Sequence, residues 1–258
     1  PDLKNLTKMF RPRVIPVLLL KDNVLVKSVK FKNHNYIGDP INAVRIFNDF
    51  KADELVFLDI EASRQKRLVS LDFVKNVSEE ASMPFAVGGG IRTIDDIKTI
   101  IHAGAEKVII NAYAAENPEF IYNASDTFGS STICVCIDVK KNLFGKTMTW
   151  TLNGTKSTKY SPVDFARLME EKGAGEIIIQ SIDKDGSMSG YDTALIKNIS
   201  ENVKIPVVAL GGAGNFEHLK QAYAEGFANG LAAGSLFVYQ SAKRGVLINY
   251  PEKNELQF

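Results

Sequence analysis

Short apolar stretches alternate with amphipathic segments along most of the chain. The stretches are rich in Val, Ile and Leu, which is typical of strands that are buried on both faces. Eight of them stand out, at 14–20, 55–60, 85–87, 108–110, 132–137, 177–180, 207–210 and 231–233. Strands separated by helical segments predict parallel βα units.

The segments between these strands have helical spacing. One apolar stripe begins after Thr93, with Asp96 three residues later in a capping-box pattern, and another lies at 195–199. For a chain of 258 residues we expect a closed (β/α)8 TIM barrel, with a doubly wound open sheet as its rival. No linker divides the chain, so 9–258 is predicted to be one domain and 1–8 a polar extension outside the fold.

The sequence repeats itself once at half its length. Gly89-Gly90 has a counterpart in Gly211-Gly212, 122 residues further along the chain. Asp59 and Asp183, which are expected to end the second and sixth strands, are matched at a similar offset of 124 residues. Two similar half-barrels of four βα units each would explain this offset.

Composition and charge narrow the possible functions. The 31 Lys and Arg residues nearly balance the 30 Asp and Glu residues, for a net charge of +1, which argues against nucleic-acid binding by bulk charge. No apolar run is long enough for a membrane span, and no secretion signal is visible. Cys134 and Cys136 cannot form a disulfide framework, so we expect a cytoplasmic protein. No cofactor is expected, and no metal site either, because these cysteines have no further ligand nearby in the sequence.

Glycine-bearing turns follow several strands, at the end of the barrel where active sites of this fold lie. Glycine lets the main chain approach an anion, and amides at the start of the next helix donate hydrogen bonds to it. Turns at matched positions in the two halves therefore predict two phosphate sites, although each glycine could simply permit a tight turn.

Asp138 is the candidate for acid–base chemistry. It ends the fifth strand, where a carboxylate can reach a bound substrate, although a helix cap or an ion pair is an alternative role. The position about 120 residues before Asp138 falls in 18–20, which are all leucines. The first half-barrel therefore has no carboxylate that matches Asp138. His34 lies in a polar loop after the first strand and could contact a substrate, whereas His102 and His218 are expected on helix surfaces.

Charged residues stand before four of the strands, at the opposite end of the barrel: Arg13, Glu54, Lys107 and Glu176. Such charges ordinarily form a solvated rim, but inward-pointing side chains would form a neutral, salt-bridged floor. After the fifth strand, 147–158 predicts a hairpin with a two-residue turn at Asn153-Gly154. This hairpin could cover Asp138 as a lid or pack on the rim.

Several stretches together resemble one protein family. They lie at 53–60, 87–91, 173–176, 181–186, 189–192 and 211–214. From Arg13 to about Phe237 the chain resembles the cyclase subunit of imidazole glycerol phosphate synthase, a (β/α)8 barrel of histidine biosynthesis. The resemblance implies a glutaminase partner at the N-terminal face of the barrel and a bis-phosphorylated substrate at the other face.

The resemblance also implies roles for individual residues. A ring of four charges that gates the ammonia path matches Arg13, Glu54, Lys107 and Glu176. The phosphate-binding positions match Gly90, Asn111, Asp185, Gly186, Gly212, Ala233 and Gly234. Hydroxyl residues of the family are replaced by Ala112, Gln180, Leu210 and Gly234, so the ligand need not carry the same two phosphates.

The largest departure from the family concerns catalysis. The family pairs the carboxylate at Asp138 with a second one in strand one, where this chain has Leu19. Loss of a positioned acid or base costs about 10² to 10⁴ in rate. A chain that keeps the ammonia path but has such an altered chamber resembles a divergent branch of the family. That branch is associated with sugar amidation in bacterial surface-polysaccharide biosynthesis. The stretches at 18–22, 233–237 and 244–251 share this resemblance.

Three functions stay open at this point. The first is an ammonia-channelling barrel that serves a sugar-amidating synthetase acting on a phosphorylated or nucleotide-linked substrate. The second is an active cyclase of histidine biosynthesis, a lyase that uses ammonia, in which Asp59, Asp183 or a water replaces the missing acid. The third is a scaffold that activates the glutaminase, so whether the chain is itself an enzyme is also open.

Overall fold

The computed structural model describes residues 11–142, 144–240, 245–252, 255 and 258. The extension predicted at 1–8 and residue 244 of the tail stretch lie outside the described residues.

A closed parallel barrel forms the centre of the described chain. Its strands are β1 (Arg13–Lys21), β4 (Leu55–Asp59), β5 (Phe85–Gly88), β6 (Lys107–Ile110), β7 (Ile133–Lys141), β10 (Glu176–Ser181), β11 (Val207–Leu210) and β12 (Gly230–Ala233). Each strand pairs with the next in this order, and β12 pairs with β1. This closure confirms the (β/α)8 barrel and excludes the open sheet.

Four further strands extend the barrel as antiparallel hairpins. They are β2 (Val24–Val29), β3 (Lys32–Gly38), β8 (Thr147–Thr151) and β9 (Lys156–Ser157). β2 pairs with the end of β1, and β8 pairs with the end of β7. Both hairpins therefore grow from the C-terminal end of the barrel.

Helices surround the barrel. They are α1 (Pro40–Asp49), α2 (Leu71–Glu80), α3 (Ile94–His102), α4 (Ala112–Glu116), α5 (Glu119–Phe128), α6 (Pro162–Glu171), α7 (Thr193–Ser200), α8 (Phe216–Ala224) and α9 (Ser235–Val238). A 3₁₀ turn at Ser130–Thr132 precedes β7. No helix of the described chain combines the length and the apolar character that a membrane span needs.

The capping box predicted at the start of α3 is confirmed. The Thr93 hydroxyl accepts from the Asp96 amide at 3.0 Å, and the Asp96 carboxylate accepts from the Thr93 amide at 2.8 Å. The predicted stripe also faces inward, because Ile97 and Ile100 are fully buried. Local sequence thus determines where this helix begins and which face it packs.

Two apolar layers stabilise the fold. The outer layer lies between strands and helices and includes Phe47, Phe57 and Phe165, all fully buried. The inner layer fills the barrel itself and consists of smaller side chains: Ile15, Val17, Val56, Ala86, Ile109, Cys134, Cys136, Ile178, Val208, Leu210 and Ala232. Such a filled interior is typical of the fold.

The half-barrel repeat is visible in the structure, with one correction. A Cβ added to Gly89 would lie 3.1 Å from the Asp59 carbonyl oxygen, and one added to Gly211 would lie 2.7 Å from that of Ser181. Ser181 therefore stands where Asp59 stands in the first half. Pairing Asp59 with Asp183 is wrong, because β10 ends at Ser181 and Asp183 lies two residues beyond it.

We expect Thr93→Ala to lower the free energy of unfolding by about 1 kcal/mol, because the Asp96 amide in the first turn of α3 loses the hydroxyl that accepts its hydrogen bond. Urea unfolding measures this loss. Thr127→Ala, at an exposed position inside α5, is the matched control and should change stability by less than about 0.5 kcal/mol. Equal losses in both variants would contradict the capping role.

Candidate active site

The C-terminal ends of the barrel strands surround a pocket. All the residues that the sequence analysis assigned to catalysis or phosphate binding line it: Gly90, Asn111, Asp138, Asp185, Gly186, Gly212, Ala233 and Gly234. They come from turns far apart in sequence, and parallel strands bring them together because their C-terminal ends meet at one face of the barrel.

Asp138 is a buried titratable group among the residues that line this pocket. Only 7% of the residue is exposed, and the Cys136 thiol lies 3.8 Å from its Oδ1. Burial raises the pKa of Asp138 to about 7, although hydrogen bonds from Asn111 and Cys136 act in the opposite direction. A carboxyl group that titrates near neutral pH can both accept and donate a proton.

Leu19 occupies the position that corresponds to Asp138 in the first half-barrel. Leu19 pairs with Leu58 in the β1–β4 ladder, and Asp138 pairs with Gln180 in the β7–β10 ladder. Leu58 and Gln180 are themselves 122 residues apart, which is the repeat length. The two halves thus present a carboxyl group and an aliphatic side chain at equivalent places.

Asp59 and Asp183, the carboxylates proposed as substitutes for the missing acid, both accept hydrogen bonds from other groups of the chain. Asp59 binds both terminal nitrogens of Arg67, at 2.6 and 3.2 Å, and also accepts from the Glu61 and Ala62 amides. Asp183 is exposed and accepts from the Lys141 amide at 3.1 Å. Asp59 lines the pocket, whereas Asp183 does not.

A buried ion pair in the pocket was missed by the sequence analysis. Lys27 Nζ lies 3.0 Å from Asp185 Oδ1, the Ser28 hydroxyl donates to Oδ2 at 3.1 Å, and both charged side chains are only 6% exposed. Lys27 and Asp185 are 158 residues apart in sequence, so no local pattern connects them. The pair fastens the β2–β3 hairpin to the turn after β10.

The polar loop predicted after the first strand is wrong, because this region is the β2–β3 hairpin. Asp22 and Asn23 form the two-residue turn between β1 and β2, with φ values of 50° and 61°. Asp and Asn are typical of such tight turns, so the sequence carried a signal for this one. His34 lies on β3 and lines the pocket. Burial and the neighbouring Lys21 lower the pKa of His34.

The hairpin predicted at 147–158 forms, but its turn is longer than predicted. Thr151 pairs with Lys156, so four residues rather than two make the turn. Leu152 and Asn153 line the pocket, and the side-chain Nδ2 of Asn153 donates to the Ile60 carbonyl at 2.9 Å. The turn therefore reaches across the mouth of the barrel to the loop after β4.

Main-chain packing by itself requires glycine in the two matched turns. Gly90 and Gly212 have φ values of 73° and 114°, and a Cβ on them would lie 1.8 Å from the Arg67 oxygen and 2.2 Å from the Gly190 oxygen. The tight-turn explanation thus applies to both, and phosphate binding stays a prediction.

The histidines on helices differ in exposure. His102 is exposed at the end of α3, as predicted. His218 lies on α8 as predicted but is only partly exposed there, and its Nδ1 accepts from the Gly214 amide at 3.1 Å. His218 thus supports the turn that follows Gly212.

The four charges at the opposite end of the barrel form a closed ring. Lys107 Nζ lies 3.2 Å from Glu54 Oε1 and 3.0 Å from Glu176 Oε2. The two terminal nitrogens of Arg13 bind the same two carboxylates, one nitrogen to each. The Glu54 and Glu176 side chains are 5% and 9% exposed. The charges therefore point inward, and the alternative of a solvated rim is wrong.

The ring keeps Arg13 charged. Burial acts to lower the pKa of Arg13, but the attraction of Glu176 and Glu54 outweighs it, so the pKa is raised. The apolar inner layer lies within the barrel between this ring and the pocket, and burial raises the pKa of Cys134 and Cys136, which stay as neutral thiols. No three His, Cys, Asp or Glu side chains of the described chain come together as a metal site.

Comparison with known proteins identifies the family. The family model of histidine biosynthesis proteins matches residues 13–243. The chain belongs to this family. It is 46% identical over 248 residues to the putative imidazole glycerol phosphate synthase subunit hisF2 of Pseudomonas aeruginosa, covering 96% of this chain and 99% of that protein.

Two further relatives place the chain among homologues of the HisF subunit. It is 43% identical over 249 residues to the putative imidazole glycerol phosphate synthase subunit hisF3 of Vibrio vulnificus, covering 96% of each chain. It is 44% identical over 231 residues to the imidazole glycerol phosphate synthase subunit HisF of Alkaliphilus metalliredigens, covering 90% of this chain and 92% of that protein.

In this HisF homologue we expect the buried carboxyl group of Asp138 to make stability depend on pH. The folded chain keeps the proton up to about pH 7, whereas an unfolded Asp loses it near pH 4. The folded state therefore binds more protons in this window, and the free energy of unfolding falls as the pH rises through it, by up to about 4 kcal/mol.

Urea unfolding from pH 4.5 to pH 8 measures this effect as a difference between variants. Asp138→Asn should remove the fall, whereas Asp126→Asn, at an exposed carboxylate on α5, should keep it. A direct readout is the carboxyl ¹³C signal of Asp138, with an expected midpoint near pH 7. A midpoint near pH 4 would contradict the raised pKa.

Proposed function

We propose that the chain is the synthase subunit of a glutamine-dependent amidotransferase, which accepts ammonia from a glutaminase and passes it through the barrel to the pocket around Asp138. The observation that supports this most is the closed ring of Arg13, Glu54, Lys107 and Glu176 at one end of an apolar interior. The pocket lies at the other end of that interior.

The physical chemistry of the interior favours ammonia over ammonium. A charge in an apolar interior costs many kcal/mol unless it is paired, so the inner layer would exclude the ammonium ion and admit the small neutral molecule. The ring would have to open for this passage. Lys107 is the candidate for the moving member, because its flexible stem carries a compact charge, whereas the planar Arg13 guanidinium holds both carboxylates.

The nitrogen acceptor that we propose is a sugar of bacterial surface-polysaccharide biosynthesis, amidated by a partner synthetase. This proposal depends on Leu19, because a chamber with Asp138 but no carboxyl group at the symmetric position lacks the acid–base pair of ordinary cyclisation. We propose that Gly90 and Asn111 at one end of the pocket, and Asp185, Gly186, Gly212, Ala233 and Gly234 at the other, hold a phosphorylated or nucleotide-linked ligand.

The second candidate is the cyclase reaction of histidine biosynthesis, in which ammonia is used on a bis-phosphorylated substrate. The name of the Alkaliphilus relative, an imidazole glycerol phosphate synthase subunit, favours it. The chain would then need another proton donor in place of Leu19. Of the carboxylates considered, only Asp59 lines the pocket, and its bidentate pairing with Arg67 weighs against that role. In both proposals residues 9–258 act as one cytoplasmic barrel domain.

We expect Lys107→Ala to lower glutamine-supported turnover at least about tenfold relative to ammonium-supported turnover, because one side of the ring is lost and two buried carboxylates share a single cation. The ratio is measured with the glutaminase present, using either nitrogen source. Lys98→Ala, at an exposed position on α3, is the control. An unchanged ratio in Lys107→Ala would show that the ring is not a gate.

We expect no cyclisation by the unmodified chain when it is mixed with the bis-phosphorylated ribulosyl formimino substrate and excess ammonium at alkaline pH. Leu19→Asp should restore turnover if the rest of the chamber fits that substrate, whereas Leu19→Asn, which has a similar size but carries no titratable proton, should not. Substrate loss is followed optically. Rapid turnover by the unmodified chain would reject sugar amidation and favour the second candidate.

A further inference from the structure

Residues 245–250 run back along the outside of the barrel to its N-terminal end. Tyr239 and Val246 form an antiparallel bridge, and the Asn249 amide donates to the Phe237 carbonyl at 3.0 Å. This path brings Tyr250 into the layer between strands and helices, where its ring packs against Phe47 and Phe237 with centroid distances of 6.4 and 5.6 Å.

The hydroxyl group of Tyr250 joins the starts of two barrel strands. It donates to the Val14 carbonyl at 2.9 Å and accepts from the Asp53 amide at 3.1 Å. The Asp53 carboxylate in turn accepts from the Val14 amide at 2.9 Å. Val14 directly follows Arg13 and Asp53 directly precedes Glu54, so this junction lies beside two members of the charged ring.

No ladder pairing joins the two strands at this level. Within the described chain, the β1–β4 ladder begins at the pair Val17 and Val56 and continues toward the pocket. The lower part of β1, from Arg13 to Pro16, pairs with β12 on its other side instead. The contacts of Tyr250 and Asp53 therefore take the place of ladder hydrogen bonds where Arg13 and Glu54 leave the main chain.

We propose that Tyr250 is a positioning residue for the charged ring, fixing the separation of the strand starts that carry Arg13 and Glu54. A buried Tyr could equally serve only to fill the space between α1 and α9. The two roles differ in what loss of the hydroxyl does, because Phe fills the same space and leaves both main-chain groups without this partner. The consequence for ammonia transfer depends on the proposed function, whereas the positioning itself does not.

Tyr250→Phe in the full chain tests the positioning directly. The readout is hydrogen exchange of the Arg13 guanidinium protons followed by NMR, which reports how often the ring opens. A lost hydrogen bond corresponds to exchange that is about three- to tenfold faster. Tyr191→Phe is the matched control, because Tyr191 is 6% exposed and its hydroxyl donates to the Ala232 carbonyl at 2.8 Å, on β12. In Tyr191→Phe the guanidinium protons of Arg13 should exchange at the same rate as in the unmodified chain.

Unchanged Arg13 exchange in Tyr250→Phe, or equal acceleration in both variants, would overturn the proposal whether or not ammonia passes through the barrel. If Tyr250→Phe does not fold, Asp53→Asn weakens the same junction from its other side and is expected to accelerate Arg13 exchange in the same way.

A second arm separates this proposal from the proposed function. With the glutaminase present, Tyr250→Phe should lower the ratio of glutamine-supported to ammonium-supported turnover about threefold or more, and Tyr191→Phe should not. Faster Arg13 exchange with an unchanged ratio would support the positioning role and would reject the ring as a gate.

Discussion

The closed ring of Arg13, Glu54, Lys107 and Glu176 is the interaction on which the rest of this barrel depends. Each carboxylate binds both cations, so removal of either cation leaves two buried carboxylates to share the one that remains, which is destabilising. An apolar layer lies within the barrel above the ring. In the proposed function, the closed ring and the apolar interior would together admit only a small neutral molecule, and only when an ion pair opens.

At the C-terminal end of the barrel, the two similar half-barrels differ in the side chains that they present to the pocket. The ladder registers put Leu19 and Asp138 at equivalent places, so the chamber has one carboxyl group there rather than two. Burial makes this group titrate near neutral pH. The buried Lys27–Asp185 pair, meanwhile, fastens the β2–β3 hairpin over the pocket. The pocket at this end of the barrel thus carries different side chains, Asp138 and Leu19, at equivalent places of its two halves.

The sequence predicted the eight barrel strands, the start of α3 and the members of the charged ring, because apolar periodicity, helix caps and charges before strands are local signals. It could not show that the ring closes, since Arg13 and Glu176 meet only when β1 and β10 join one barrel. The Lys27–Asp185 pair and the Tyr250–Val14 contact were missed for the same reason, being 158 and 236 residues apart. The match of Asp59 with Asp183 failed differently, because a strand boundary was misplaced by two residues.

The most direct test of the account follows the glutamine amide nitrogen. The chain, its glutaminase and the acceptor system are supplied with glutamine labelled with ¹⁵N in the amide and with excess unlabelled ammonium, and the isotope content of the product is measured by mass spectrometry. Passage through the barrel predicts that the product keeps most of the label, because the nitrogen never mixes with the solvent. A product labelled only to the level of the bulk ammonium pool would contradict the account.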